Sequence, residues 1–220
     1  MIKKTPISEI RNISSIVIDG VTEHDRDEMA IPSYLHGNPL IRWLMWQRYE
    51  VIAGMLPSTS NASVLEFGCG IGLFLSELRN RYSKVYAIDL FPQYAMELAR
   101  RNGLDITFVK NLDELPDHSL DVIVAADVLE HIKNLDEYLQ IFHAKLKIDG
   151  HFIVSGPTEN IFYKIGRYAA GFGDKGDYHH TNINKLVRDI TGYGFKLVEE
   201  KSLPFNYLSS LFKICKFINF

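Results

Sequence analysis

The chain is 220 residues long, with 46% hydrophobic and 23% charged residues and a formal net charge of −3. That is enough apolar material to bury a substantial core in one domain, and the charge gives no general electrostatic footprint for nucleic acid. Two cysteines, Cys69 and Cys215, do not make a disulfide framework, so a reducing, cytoplasmic setting is expected.

The start, Met1-Ile2-Lys3-Lys4-Thr5, has a basic pair with no long apolar run behind it, so neither a signal peptide nor a transmembrane helix is expected. Residues 1–61 precede the first strand and read as a helical cap. Within them Tyr34-Leu35-His36-Gly37-Asn38-Pro39 is turn-rich. Ile41 to Leu56, carrying Trp43, Trp46, Tyr49 and Ile52, reads as an apolar-rich helix that ends before Pro57 and packs on a sheet.

Val64-Leu65-Glu66-Phe67-Gly68-Cys69-Gly70-Ile71-Gly72 is the most informative segment: an apolar run ending in an acid, then glycine at every second position. It reads as a buried strand opening into a tight loop and a helix, the glycines letting the backbone adopt conformations closed to other residues and approach a ligand closely. A second strand, Lys84 to Asp89, ends in an acid about 20 residues further on, where a carboxylate can grip ribose hydroxyls. A dinucleotide fingerprint needs glycine at the sixth position from Gly68, which is Leu73, so NAD and a dehydrogenase are disfavoured.

Asn111 to Pro116 is an acidic turn, and Val122 to Ala126 is apolar without alternation, as expected of a parallel strand covered on both faces. Leu135 to Leu146 has helical spacing, Asp149-Gly150 is expected to close that helix, and Phe152 to Ser155 is a further strand. Right-handed crossovers turn this order into an α/β fold. It is a Rossmann-like, doubly wound, mostly parallel sheet with helices on both faces, and its ligand lies where Glu66, Asp89 and Asp127 fall. Residues 62–155 form the expected core.

Residues 156–182 read as a lid: Pro157 to Asn160, an amphipathic Ile161 to Ala170, a glycine-rich Gly171 to Asp177, and Tyr178-His179-His180. Loops at the carboxyl end of a parallel sheet often hold substrate residues. Residues 183–220 supply a helix over Ile183 to Thr191 and a strand over Phe195 to Glu200. Beyond Pro204 two patterns compete: Leu208, Leu211, Phe212, Cys215 and Ile218 share a helical face, whereas Phe212, Ile214 and Lys216 alternate imperfectly as a strand. Lys213 and Lys216 beside Phe212, Phe217 and Phe220 also allow a membrane-surface contact, against core packing as the plainer role.

Glu66-x-Gly68-x-Gly70-x-Gly72, the acidic turn ending in Leu115-Pro116, and Leu129-Glu130-His131 after the Val122 to Ala126 run together resemble the class I S-adenosylmethionine-dependent methyltransferases of small-molecule type. The resemblance implies that Glu66, Gly68, Cys69, Gly70 and Gly72 hold the methionine end of S-adenosyl-L-methionine. Asp89 would take the ribose, Leu90 the adenine face, and Asn111 with the Leu112 backbone the adenine edge. Many relatives have Asp where Asn111 stands, and an amide can both donate and accept. Carbonyl oxygens around Ala126 and Asp127 would receive the methionine ammonium. By the same resemblance the cap helps shape the acceptor pocket, with Tyr34 and His36 as candidates.

The sulfonium is an activated donor, so the protein mainly aligns donor and acceptor and excludes water. A hydroxyl acceptor must also lose a proton, and histidine suits that near neutral pH. His131, His179 and His180 are the candidate bases, with His180 preferred and His131 also fitting a structural role in its loop. Some similar enzymes hold a divalent metal on an acid-x-x-Glu-His cluster, which Asp127, Glu130 and His131 with His179 or His180 imitate. Acids at strand ends are common in this fold without an ion, and none is assigned. The expected acceptor is a small molecule, sugar or lipid-linked compound, since no Asn/Asp-Pro-Pro-aromatic signature for base methylation is present. The other class is a non-catalytic cofactor- or partner-binding domain of the same fold.

Overall fold

The computed structural model describes residues 2–57, 61–169, 171, 180–204 and 210–220. Four helices come first: α1 (Ile7–Ser14), α2 (Glu23–Glu28), α3 (Ile31–Leu35) and α4 (Pro39–Met55). The last starts two residues before the apolar run because Pro39 occupies its first turn and the Asn38 side chain accepts a hydrogen bond from the Leu40 N–H at 2.9 Å.

The core alternates β1 (Ser63–Phe67), α5 (Leu75–Arg81), β2 (Lys84–Ile88), α6 (Gln93–Arg101), β3 (Thr107–Phe108), β4 (Leu120–Ala126), α7 (Leu135–Lys145) and β5 (Leu146–Pro157). After it come α8 (Ile161–Ala169), α9 (Ile183–Gly192), β6 (Phe195–Leu203) and β7 (Phe212–Asn219). The sheet order is β3-β2-β1-β4-β5-β7-β6, parallel except for β7, which runs antiparallel to both its neighbours. The strand order reverses between β1 and β4, whose carboxyl ends therefore diverge into a crevice.

Each central strand sends alternate side chains to opposite faces, and both faces are covered. Val64, Val122 and Ile153 pack with Ile52 of α4, Leu78 of α5 and Tyr94 of α6. Leu65, Ile123 and Phe152 pack with Phe142 of α7 and Ile190 of α9. Each such buried aliphatic or aromatic side chain contributes about 1.5–3 kcal/mol, which explains why these strands read as unbroken apolar runs.

Two local expectations change. Asp149 and Gly150 do not close the helix; they lie within β5, where Asp149 has φ +62° and a β-carbon on Gly150 would stand 2.8 Å from the Lys147 carbonyl oxygen. The tight bend accompanies a register shift between β4 and β5. Residues 212–219 form a strand rather than a helix. Its imperfect alternation follows from its place between β5 and β6: Ile214, Cys215 and Phe217 are all buried, while Lys213 pairs with Glu200 at 2.9 Å. Leu208 lies outside the described residues.

Candidate functional site

The loop after β1 carries the three glycines, all at positive φ: Gly68 +73°, Gly70 +52° and Gly72 +80°. At Gly68 an added β-carbon would lie 2.4 Å from the Val128 side chain, so the loops after β1 and β4 touch only because the residue is glycine. The Gly68 and Cys69 N–H groups donate to the Ile88 carbonyl at 2.9 and 3.2 Å, fastening the loop to the end of β2. Cys69 is buried, and that burial, with Asp89 and Glu66 nearby, holds its thiol far above its ordinary pKa.

Asp89 follows β2 and is held on both sides. One carboxylate oxygen accepts the Gly70 N–H at 2.7 Å and the other the Phe91 N–H at 3.0 Å. A carboxylate has about four lone-pair sites, so two remain for hydroxyl donors. The next residue, Leu90, is 87% exposed at the cavity wall, an apolar surface ready for a flat ring. Asn111 is more restricted than a free amide: its carbonyl oxygen already accepts the Asp113 N–H at 3.0 Å. Its NH2 is therefore the group it can offer to a ring nitrogen, beside Leu112 on the same wall.

Gly68, Cys69, Gly70, Asp89, Leu90, Asn111 and Leu112 line one end of a cavity of about 1120 Å³, whereas Glu66 and Gly72 lie outside its lining. The other end lies between α4, α8 and the ends of β4, β5 and β7, with Met45, Tyr163, Leu211 and Phe212 among its lining residues. Arg48 enters from α4 and is only 5% exposed. Its guanidinium pairs with Asp127, donates to the Tyr34 hydroxyl at 3.4 Å and lies 4.9 Å from the centre of the Phe212 ring. Asp127 has φ +53° and accepts the Ser155 hydroxyl at 2.9 Å. A non-glycine residue held in that region by its surroundings is a common mark of a working site.

Two further acids are buried here. Glu66 is 1% exposed, and burial, reinforced by Asp89, pushes its carboxyl well above the usual range. Glu130 is pushed up to about 8, chiefly by burial, with Arg48 opposing and Glu159 adding to the rise. Among the described residues, Glu66 Oε2, Glu130 Oε2 and Arg48 Nε are buried without a hydrogen-bond partner. Buried polar groups are normally satisfied, so orphaned atoms on Arg48 and Glu130, both on the cavity wall, fit a site that receives a polar ligand.

The candidate histidines separate. His131 lines the cavity, whereas the His180 side chain is exposed and outside the lining; its backbone N–H donates to the Glu130 carbonyl at 2.7 Å. The preference for His180 thus meets a residue that fastens the loop behind Glu130, and His179 lies outside the described residues. Of the cap candidates Tyr34 lines the cavity, while His36 accepts the Asn38 N–H at 3.0 Å in the turn before α4. Ala126 lines the cavity as well. Among the described residues no group of three His, Cys, Asp or Glu side chains is arranged to hold a metal ion.

Sequence reasoning passed over Arg48, Tyr163 and Phe212. A signal existed for the first. Ile41, Met45, Arg48, Ile52 and Met55 repeat at three- and four-residue intervals, so Arg48 is a lone charge in an apolar stripe. Tyr163 and Phe212 meet edge-on at 5.7 Å only through the tertiary fold.

The sequence profile of a family described as a methyltransferase domain matches residues 45–200. A ubiquinone biosynthesis O-methyltransferase of Rickettsia canadensis is 25% identical over 180 residues, 75% of each chain. That of Rickettsia bellii (strain OSU 85-389) is 30% identical over 176 residues, 69% of this chain and 73% of the relative. The crystal structure of the N-methyltransferase NodS from Bradyrhizobium japonicum, bound to S-adenosyl-l-homocysteine, superposes with a TM-score of 0.65 at 18% identity, covering 89% of this chain and 96% of that one. The structural likeness shows a shared fold.

Proposed function

Since the chain belongs to the class I S-adenosylmethionine-dependent methyltransferases, we propose that it methylates a hydroxyl oxygen of a small-molecule acceptor held between α4, α8 and the ends of β4 and β5. The observation that carries this is one cavity joining the glycine loop and Asp89 to a chamber containing Arg48, Asp127, Glu130 and His131. The oxygen acceptor is supported by relatives named O-methyltransferases. The apolar lining of the chamber supports an acceptor with an aromatic or lipid-like body. A cytoplasmic location is in keeping with two free, buried thiols.

The residues present suit the cofactor. Gly70 leaves the backbone open to it while Gly68 and Gly72 let the loop pack against Val128 and α6, Asp89 retains acceptors for ribose hydroxyls, Leu90 and Asn111 face the adenine, and the loop end near Asp127 takes the methionine part. Bound there, S-adenosylmethionine supplies an electrophilic methyl group. What remains for the chain is orientation, exclusion of water and acceptance of the hydroxyl proton. We assign the proton to His131, the described histidine on the cavity wall, which it shares with an Asp127 fixed by Arg48 and Ser155. In domain terms residues 1–61 cap the site, 62–155 bind the cofactor, 156–182 wall the acceptor and 183–220 complete the sheet.

Calorimetry with S-adenosylmethionine and with NAD, on wild type and Asp89→Ala, is the test of the cofactor site. Sulfonium binding weakened at least tenfold by the substitution, and no NAD binding, is expected. A panel of phenols and other hydroxyl compounds, read by mass spectrometry, then tests the reaction. Cofactor binding without any O-methylated product would leave a non-catalytic domain, and failure of the folded protein to bind the cofactor would remove the proposal.

A further inference from the structure

The guanidinium of Arg48 is gripped from three elements. Asp127, after β4, supplies the paired carboxylate, the Tyr34 hydroxyl of α3 accepts a hydrogen bond at 3.4 Å, and the Phe212 ring of β7 is centred 4.9 Å from the guanidinium carbon. Arg48 reaches this place from the middle of α4, is 5% exposed and lies on the cavity wall. A guanidinium stays charged throughout the working pH range and is more weakly hydrated than an ammonium, so it is well suited to a buried, fixed position. Its partner belongs to the spacing that imitates a divalent-ion site, Asp127-Val128-Leu129-Glu130-His131. The structure does not fit such an ion there. Of the two Asp127 oxygens, Oδ2 pairs with Arg48 and Oδ1 accepts the Ser155 hydroxyl at 2.9 Å. A divalent ion sharing that carboxylate would stand within a few ångströms of a buried positive charge, where repulsion is only weakly screened. Nor does His180 supply the distant histidine of the pattern: its side chain is exposed and outside the cavity lining, and His179 lies outside the described residues.

The same guanidinium has a donor to spare. Asp127 and Tyr34 take its terminal nitrogens, while its Nε is buried with no hydrogen-bond partner among the described residues. We infer that Arg48 is the resident cation of the acceptor chamber: it stands in the place a divalent ion would take beside Asp127, and its Nε–H is the donor that meets an oxygen of the acceptor. On this account the chamber works without a divalent metal. The inference rests on the reading of the chamber as the acceptor site. A hydroxyl oxygen that gives its proton to His131 gains negative charge, and a charge-assisted hydrogen bond to it strengthens as the charge develops.

Ion binding by metal-stripped protein, alone and with S-adenosylhomocysteine, tests the place of the cation. Calorimetry with MgCl2 and electron paramagnetic resonance with MnCl2 should show no stoichiometric ion on wild type. Arg48→Met, checked for folding by circular dichroism, frees the Asp127 carboxylate and should gain a manganese ion that the double variant with Asp127→Asn loses. A tightly held ion on wild type that Asp127→Asn removes overturns the inference, and so does a folded Arg48→Met that gains none. If Arg48→Met does not fold, the wild-type measurement still decides. The donor role has its own test. Arg48→Lys keeps the charge and can keep the pair with Asp127, but it has no Nε–H. With a hydroxyl compound that the panel shows to be methylated, it should raise the acceptor KM about tenfold and leave the S-adenosylmethionine KM unchanged. EDTA should leave the wild-type rate as it is. An unchanged acceptor KM, or a rate abolished by EDTA and restored by MgCl2, overturns the inference. A panel that yields no product counts against O-methylation instead, and the ion measurements stand apart from it.

Discussion

Gly68 has φ +73° and no room for a β-carbon against Val128. Gly68→Ala is expected to cost about 1–2 kcal/mol from the backbone conformation alone, and more from the clash. Urea unfolding gives the stability loss, and calorimetry should show S-adenosylhomocysteine binding weakened further than that loss explains. Arg48 is a different case. Its pair with Asp127 is buried, so Arg48→Met leaves a carboxylate without its cation and should destabilise the fold by about 3–5 kcal/mol. Combining it with Asp127→Asn should recover part of that loss, and a double-mutant cycle of unfolding free energies is the check. Glu130 carries the pH dependence. Burial raises its carboxyl from 4.5 to about 8, so the folded state keeps it protonated where the unfolded chain ionises it. Its contribution is therefore fully present below the unfolded value and is lost as pH rises through the window from 4.5 to about 8. Glu130→Gln cannot ionise, and its thermal midpoint should fall less than that of wild type between those limits.

Whole elements were easier to read than their ends. The strands β1, β2 and β4 and helices α4, α7 and α9 announce themselves by local pattern, because each buries a stripe or both faces of its own residues. The bend at Asp149-Gly150 mimics a helix stop, since a left-handed residue followed by glycine is the chemistry of either. The β7 pattern is blurred for a tertiary reason: strands on both edges and helices on both faces bury residues that an edge strand would alternate with water. One element end is set by a single side chain. Asn182 accepts the Lys185 N–H at 3.1 Å and starts α9, whose Ile183, Leu186 and Ile190 fill the second core. Asn182→Ala should cost about 1 kcal/mol, seen as a lower urea midpoint. Because the backbone hydrogen bond from His180 to Glu130 lies two residues before this cap, the same variant tests whether α9 helps hold the chamber: a loosened cap would raise the acceptor KM and leave cofactor affinity intact.

At the scale of the molecule, the cofactor end of the cavity was more legible than the acceptor end, of which the sequence marked Tyr34 and His131 but not Arg48, Tyr163 or Phe212. Glu66, the glycines and Asp89 lie within one strand-loop-helix-strand unit, so their spacing encodes their meeting. Arg48, Asp127, Tyr163 and Phe212 come from α4, the loop after β4, α8 and β7, and only the sheet order β1-β4-β5-β7 brings them to one chamber. The cavity is consequently walled by the cap, the core and the C-terminal strand together, and a ligand that fills it joins parts of the chain that separate on unfolding. Such a ligand stabilises by mass action, about 2.7 kcal/mol at a concentration one hundred times its Kd. For a domain of this size about 1 kcal/mol moves the thermal midpoint by 2–4 °C, so S-adenosylhomocysteine at that concentration should raise it by about 5–10 °C. Asp89→Ala should forfeit most of this rise, because it removes the carboxylate that holds the Gly70 N–H and that the proposed site offers to the ribose. A cofactor bound only at the glycine loop would protect that unit alone. A single sharp transition, shifted as a whole, is the outcome expected if cap, core and strand β7 close around the ligand as one body.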